Sequence, residues 1–166
     1  MNVDVKVISE FSASGIYVLL LLVSREVTLT IGKLGKQRFP RGHYFYTGSA
    51  LGKGATSLKH RISRHLRKEK RKFWHIDYLL ADENVSVEAV IAAETNENME
   101  CKTNQHLKTI MGAEVPVKGF GASDCRKNCG SHLLYFPEIE NADCLVQKLV
   151  RYLQSVSGIL SVYVVH

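Results

Sequence analysis

The sequence predicts an α/β domain of the α+β kind, with a small mixed or antiparallel sheet flanked by helices. Three observations carry that expectation. The run Ile16 to Val23 is wholly apolar, as suits a central strand covered on both faces. The stretch "REVTLTIGKLGKQRF" alternates at Val27, Leu29 and Ile31 and carries glycines at 32 and 35, the pattern of a hairpin. The period then lengthens to four at Leu58, Ile62 and Leu66, as one face of a helix requires.

Taken in order, the elements alternate irregularly. "FPRGHYFYTGSA" returns as a strand, with Pro40 and Gly42 before it and Gly48 near its end. Residues 55–68, "ATSLKHRISRHLRK", are expected as a helix and "FWHIDYLLADE" as a second. "VSVEAVIAAE" is expected as a strand, and "NMECKTNQHLKTIMGA" as a helix ending near Gly112. A Gly- and Cys-rich loop over 118–131, the strand "HLLYF", a helix around 141–155 and the strand "ILSVYVV" complete the chain. Residues 1–115 are expected as a core and 116–166 as an extension packed on it.

The 166 residues suffice for one domain with a real core, and 45% hydrophobic with 23% charged residues is an ordinary globular balance. A formal charge of +6 points to an anionic partner. The apolar run is too short to span a bilayer, and no basic segment with a small-residue cleavage site precedes it. A cytosolic protein is therefore expected, with Cys101, Cys125, Cys129 and Cys144 reduced or bound to metal.

Positive charge is densest between Lys59 and Lys72. Lys59, Arg61, Arg64, Arg67, Lys68, Lys70, Arg71 and Lys72 are opposed only by Glu69. On a continuous helix Arg61, Arg64, His65 and Lys68 would share a face, beside the apolar arc of Leu58, Ile62 and Leu66. Such a stripe suits a phosphate backbone, and Lys59, Arg64, Arg67, Lys68, Arg71 and Lys72 are the expected nucleic-acid contacts. Phe73 and Trp74 read first as core anchors and second as stacking platforms for an unpaired base. Asp77 reads as a helix cap before it reads as half of an acid–base pair with His75.

"GIY" at 15–17, "YTG" at 46–48, Leu58-x-x-Arg61-x-x-x-His65, and Glu100 opening a later helix stand in an order that resembles the signature of the GIY-YIG nuclease superfamily. "FPRGHYFYTGSALG", "RHLRKEKRKFWHIDYLL" and "GFGASDCRKNCGSHLLYF" are similar to an archaeal-type branch sometimes joined to endonuclease III-like repair enzymes. Three departures are visible: a hairpin fills the interval between the motifs, Thr47 stands where an apolar residue is usual, and the family's late asparagine has no counterpart beyond the candidate Asn104. The resemblance implies a three-stranded antiparallel sheet with the two motifs on adjacent strands. It also implies metal-dependent cleavage of nucleic acid, DNA foremost, in repair or processing. Glu100 would hold magnesium or manganese, Tyr17 would help deprotonate the attacking water, Tyr46 would assist, and Arg61 would stabilise charge on the phosphate. His65 is an alternative base, with Tyr44 a competitor to Tyr46 on its strand face. The other reading is a nucleic-acid-binding module on the same scaffold that does not cut.

Cys125, Cys129 and His132 form a C-x3-C-x2-H group whose thiolates and imidazole can wrap a tetrahedral zinc, with Cys101 as the fourth ligand. The plain alternative is a tight loop with turn contacts from Ser123 and Asp124, and a third is a loop lining the cleft with Arg126 toward substrate.

Overall fold

The structure, a computed structural model, describes residues 14–52, 54, 57–110, 112–123, 125–137, 141–156 and 160–164. In chain order its elements are β1 (Gly15–Val23), β2 (Val27–Thr30), a 3-10 turn over Gly32–Leu34, β3 (Lys36–Phe39), β4 (Gly42–Ala50), α1 (Leu58–Leu66), α2 (His75–Leu80), β5 (Val85–Glu94), α3 (Glu100–Ile110), β6 (Leu133–Phe136), α4 (Ala142–Val156) and β7 (Leu160–Val164). Five strands lie in the order β6-β4-β1-β5-β7, every neighbouring pair antiparallel. The hairpin β2–β3 forms a separate two-stranded sheet.

The uniformly apolar β1 is central because both of its faces are covered. Tyr17, Leu19, Leu21 and Val23 point to one side, where Leu58 and Ile62 of α1, Ile76 and Leu79 of α2, and Phe39 of the hairpin pack against them. Ile16, Val18 and Leu20 point to the other, against Leu107 of α3 and Leu145, Leu149 and Leu153 of α4. Side chains alternate across a strand, so two full layers need apolar residues at every position.

The sheet is wider than the three strands the resemblance implies. Its two outer strands both come from residues beyond 116: β6 pairs with β4, and β7 with β5. The stretch 116–166 is thus woven into the same sheet on both edges.

Two helices are shorter than periodicity predicts, and polar side chains end or begin them. Ser57 caps α1, its hydroxyl accepting from the His60 N–H. At the other end the Lys70 ammonium donates to the carbonyls of Arg64, His65 and Arg67 at 2.9–3.0 Å, so the helix closes at Leu66. A cation on those carbonyls also complements the helix dipole. Lys68 consequently lies beyond the helix, and the four-residue stripe Arg61-Arg64-His65-Lys68 does not form. At the start of α2 the Asp77 carboxylate accepts the N–H groups of Phe73 and Trp74 at 2.9 and 2.8 Å. The helix begins at His75, and the cap reading of Asp77 holds.

Candidate active site and candidate metal centre

The glycines of both motifs have steric reasons. In the β1–β4 register Tyr17 lies opposite Gly48, and a Cβ at 48 would overlap the Tyr17 hydroxyl end. A Cβ at Gly15 would run into the carbonyl of Ala93 on β5. Tyr46 lies opposite Leu19, so the two tyrosines are diagonal neighbours on one sheet face.

Tyr17 is buried, and its hydroxyl lies 2.7 Å from Nε2 of His65 on α1. Burial, reinforced by Tyr46, raises the Tyr17 pKa well above the usual phenol value, against the pull of Arg61. Burial also lowers His65 to about 3, helped by Lys70 nearby, so this imidazole is neutral across the physiological range. The Tyr46 ring meets His65 and Phe120 edge-on, and Gly121, at φ +66°, lets the backbone pass against that ring. Tyr44 shares the strand face but donates its hydroxyl hydrogen to the Pro40 carbonyl at 2.6 Å.

Arg61 reaches from α1 to the end of β4, where Nη1 donates to the Ser49 carbonyl at 3.0 Å, and its guanidinium lies over the Trp74 ring. Ser49 in turn donates its hydroxyl to Oε2 of Glu100 at 2.9 Å. Tyr17, Tyr46, Arg61, His65 and Glu100, from four elements, line one cleft of about 440 Å³. Trp74, His75 and Ser123 complete part of its wall. Glu100 is the only carboxylate on it among the described residues. Both of its oxygens have partners, Oε2 the Ser49 hydroxyl and Oε1 the Nδ1 of His132 at 2.7 Å.

The basic residues divide. Arg64 grips Asp77 with two bonds of 2.7 and 2.8 Å, donates to the Arg71 carbonyl and stacks over Trp74. Burial alone would raise the Asp77 pKa, but this fork and the two N–H donors bring it below the usual carboxylate value. Arg64 is thereby committed inside the protein, not offered as the phosphate contact expected from its spacing. Lys68 donates to the Val85 carbonyl, while Lys59, Arg67, Lys68, Arg71 and Lys72 are exposed. Phe73 is 78% exposed, so it is no core anchor; Trp74 is the half-buried partner, clasped between Arg61 and Arg64. His75 accepts the Gly121 N–H at Nδ1 and makes no pair with Asp77. Burial keeps its pKa low.

A second cluster adjoins the cleft. One ligand atom each from Cys101, Cys125, Cys129 and His132 lies within 4.8 Å of all the others, a set that could hold a metal ion. Cys101 Sγ is 3.4 Å from Cys125 Sγ and 3.7 Å from His132 Nε2. The loop bends tightly through Asn128 at φ +55° and Gly130 at φ +79°. Burial opposes ionisation of Cys125, but the backbone N–H groups of Cys129 and Lys127 aimed at its sulfur bring the thiol down to about 6. Burial raises Cys101 and Cys129. Burial would lower His132, yet contact with Glu100 and Cys125 carries it upward. Arg126 and Lys127 border a smaller cavity of about 260 Å³ beside this cluster, not the main cleft, and Asp124 lies outside the described residues. Asn104 is buried and ties α3 to the Ser131 carbonyl at 2.6 Å.

Ser49 enters the cleft without having been expected there, whereas Trp74 had been read as a stacking platform, His75 as half of a pair with Asp77, and Ser123 as part of a loop lining the cleft. Ser49 carried a signal: it is polar at the end of a mostly apolar strand, directly after "YTG".

Among the described residues no helix is long and apolar enough to cross a membrane. No curated protein and no solved structure matches the chain. The model of one family, described as a domain of unknown function, DUF123, matches residues 16–155, and the chain belongs to that family.

Proposed function

We propose that the protein is a divalent-metal-dependent nuclease that hydrolyses phosphodiesters of nucleic acid, DNA foremost, in repair or processing. The observation that supports this reading is the meeting of Tyr17, Tyr46, Arg61, His65 and Glu100 in one cleft. Arg61, pinned by Ser49 and Trp74, presents a preoriented guanidinium to an anionic phosphate, whose charge grows as water attacks. Tyr17, its hydroxyl held 2.7 Å from Nε2 of the neutral His65, hydrogen-bonds to the attacking water and orients it toward the phosphate. Glu100 would hold a magnesium- or manganese-class ion, which would supply positive charge for the leaving oxygen. Phe73, exposed beside the cleft wall, offers a stacking face to an unpaired base. Exposed Lys59, Arg67, Lys68, Arg71 and Lys72 add phosphate contacts.

The Cys101, Cys125, Cys129 and His132 cluster is read as a zinc centre, because three soft thiolates and an imidazole favour zinc over harder ions. The second functional reading, a module that binds nucleic acid without cutting it, is favoured by the presence of one carboxylate on the cleft among the described residues.

The test is cleavage of single-stranded, duplex and branched DNA, and of RNA, with magnesium or manganese. Arg61→Ala and Glu100→Ala are each expected to reduce the rate by about 10²-fold or more, the range for losing one preorganised charge-stabilising group. Salt-sensitive binding without cutting by the wild type would select the second reading. Cutting that survives both substitutions would refute this assignment of the site.

A further inference from the structure

Glu100 and Cys101 are consecutive residues in the first turn of α3, and only the first of them reaches the main cleft. Glu100 lines both the main cleft and the smaller cavity beside the thiols, whereas Cys101 lines only the smaller one. His132 lies between them, buried, with its backbone N–H fixed to the Phe120 carbonyl at 2.9 Å. Its ring faces both ways: Nε2 is 3.7 Å from Cys101 Sγ, and Nδ1 is 2.7 Å from Oε1 of Glu100.

We propose that His132 is a positioning residue that couples the thiol centre to the cleft, binding zinc through Nε2 while orienting Glu100 through Nδ1. The inference rests on the zinc reading and on Glu100 as the carboxylate for the cleft's hard cation. An imidazole that ligates a metal through one nitrogen commonly directs the other to a carboxylate, and that partner strengthens the metal site. Here the partner carboxylate has a task of its own. Ser49 holds its second oxygen at 2.9 Å and receives Arg61 on its carbonyl, so the chain of contacts runs from the thiols to the cleft's guanidinium. Zinc at the thiols fixes the His132 ring, and the fixed ring confines Glu100 to one orientation. Coupling between two binding sites is reciprocal, so an effect measured from either end must appear at the other.

The experiment uses the full chain and two metals read separately: zinc content by elemental analysis with chelator competition, and Mn²⁺ binding by electron paramagnetic resonance. His132→Cys supplies a fourth thiolate in place of the imidazole and deletes the bridge. It is expected to keep about one zinc per chain while its Mn²⁺ affinity falls about 10-fold or more, the usual span for losing such a partner being 10- to 100-fold. From the other end, Glu100→Ala is expected to weaken zinc about 10-fold or more, a readout that holds even if His132→Cys does not fold. Wild-type Mn²⁺ affinity in zinc-loaded His132→Cys, or wild-type zinc affinity in Glu100→Ala, would overturn the coupling and leave the zinc reading standing. Wild-type protein that takes up no zinc would overturn the zinc reading and the coupling with it. Zinc-loaded protein whose Mn²⁺ binding ignores Glu100→Ala would overturn the role of Glu100 in the cleft.

Discussion

His65 is neutral because burial refuses it a proton, and that has a measurable sign. Its folded pKa of about 3 lies below the unfolded value of about 6.5, so between those limits the unfolded chain binds more protons. Stability contributed by the neutral ring is fully present above about pH 6.5 and is lost as the pH falls. From about pH 6.5 to about pH 5 the loss is about 2 kcal/mol, at about 1.4 kcal/mol per unit. Urea unfolding across that interval should show this slope in the wild type and a much flatter one in His65→Asn. Burial-lowered His75 adds a remainder of the same sign, whereas raised His132 acts oppositely and above the interval. An unchanged slope in the variant would mean that the ring is not buried neutral. Of these side chains, Tyr17, Tyr46, Arg61 and Glu100 were legible in the sequence because an ordered motif carries their spacing. Arg64 was not: helical spacing places a guanidinium on a face, but only the fold brings Asp77 within 2.7 Å of it.

Between α1 and α2 the connection is held by polar groups as much as by packing. Asp77 accepts both bonds of the Arg64 fork and the N–H groups of Phe73 and Trp74. Asp77→Ala removes a buried partner from a cation and two donors from their acceptor at once. Breaking such a buried pair costs about 3–5 kcal/mol, so thermal unfolding should shift down strongly. The same variant should loosen Trp74, which Arg64 overlies, and so change its fluorescence. A shift of less than about 1 kcal/mol would place the pair in the weak class of exposed ion pairs. Helix centres were readable from Leu58, Ile62, Leu79 and Leu80, whereas their ends were not. Lys70 closes α1 and Asp77 opens α2 through bonds that periodicity does not encode.

The five-stranded sheet draws strands from before and after residue 116 into one hydrogen-bonded layer. β6 and β7 cover the outer edges of β4 and β5, and α4 covers the face carrying Ile16, Val18 and Leu20. A chain ending at residue 115 would expose both edges and that apolar face together. It should show no cooperative unfolding transition by circular dichroism, and a sharp transition would mean that residues 1–115 fold without the two outer strands. The strand-rich class and the hairpin were legible because their periods are short and local. Sheet width was not, since "HLLYF" and "ILSVYVV" name strands without naming their neighbours.

The placement of Tyr17 on β1 bears on how the cleft fails under heat. Many active sites hang on loops that open at little expense in free energy and lose their shape before the protein melts. Here the tyrosine pair is mounted on two adjacent strands that are hydrogen-bonded on both sides, in the segment whose amides should exchange last with solvent. Inactivation and unfolding should therefore trace one curve, and a warm, folded protein should keep its tyrosine pair in register until the sheet itself separates.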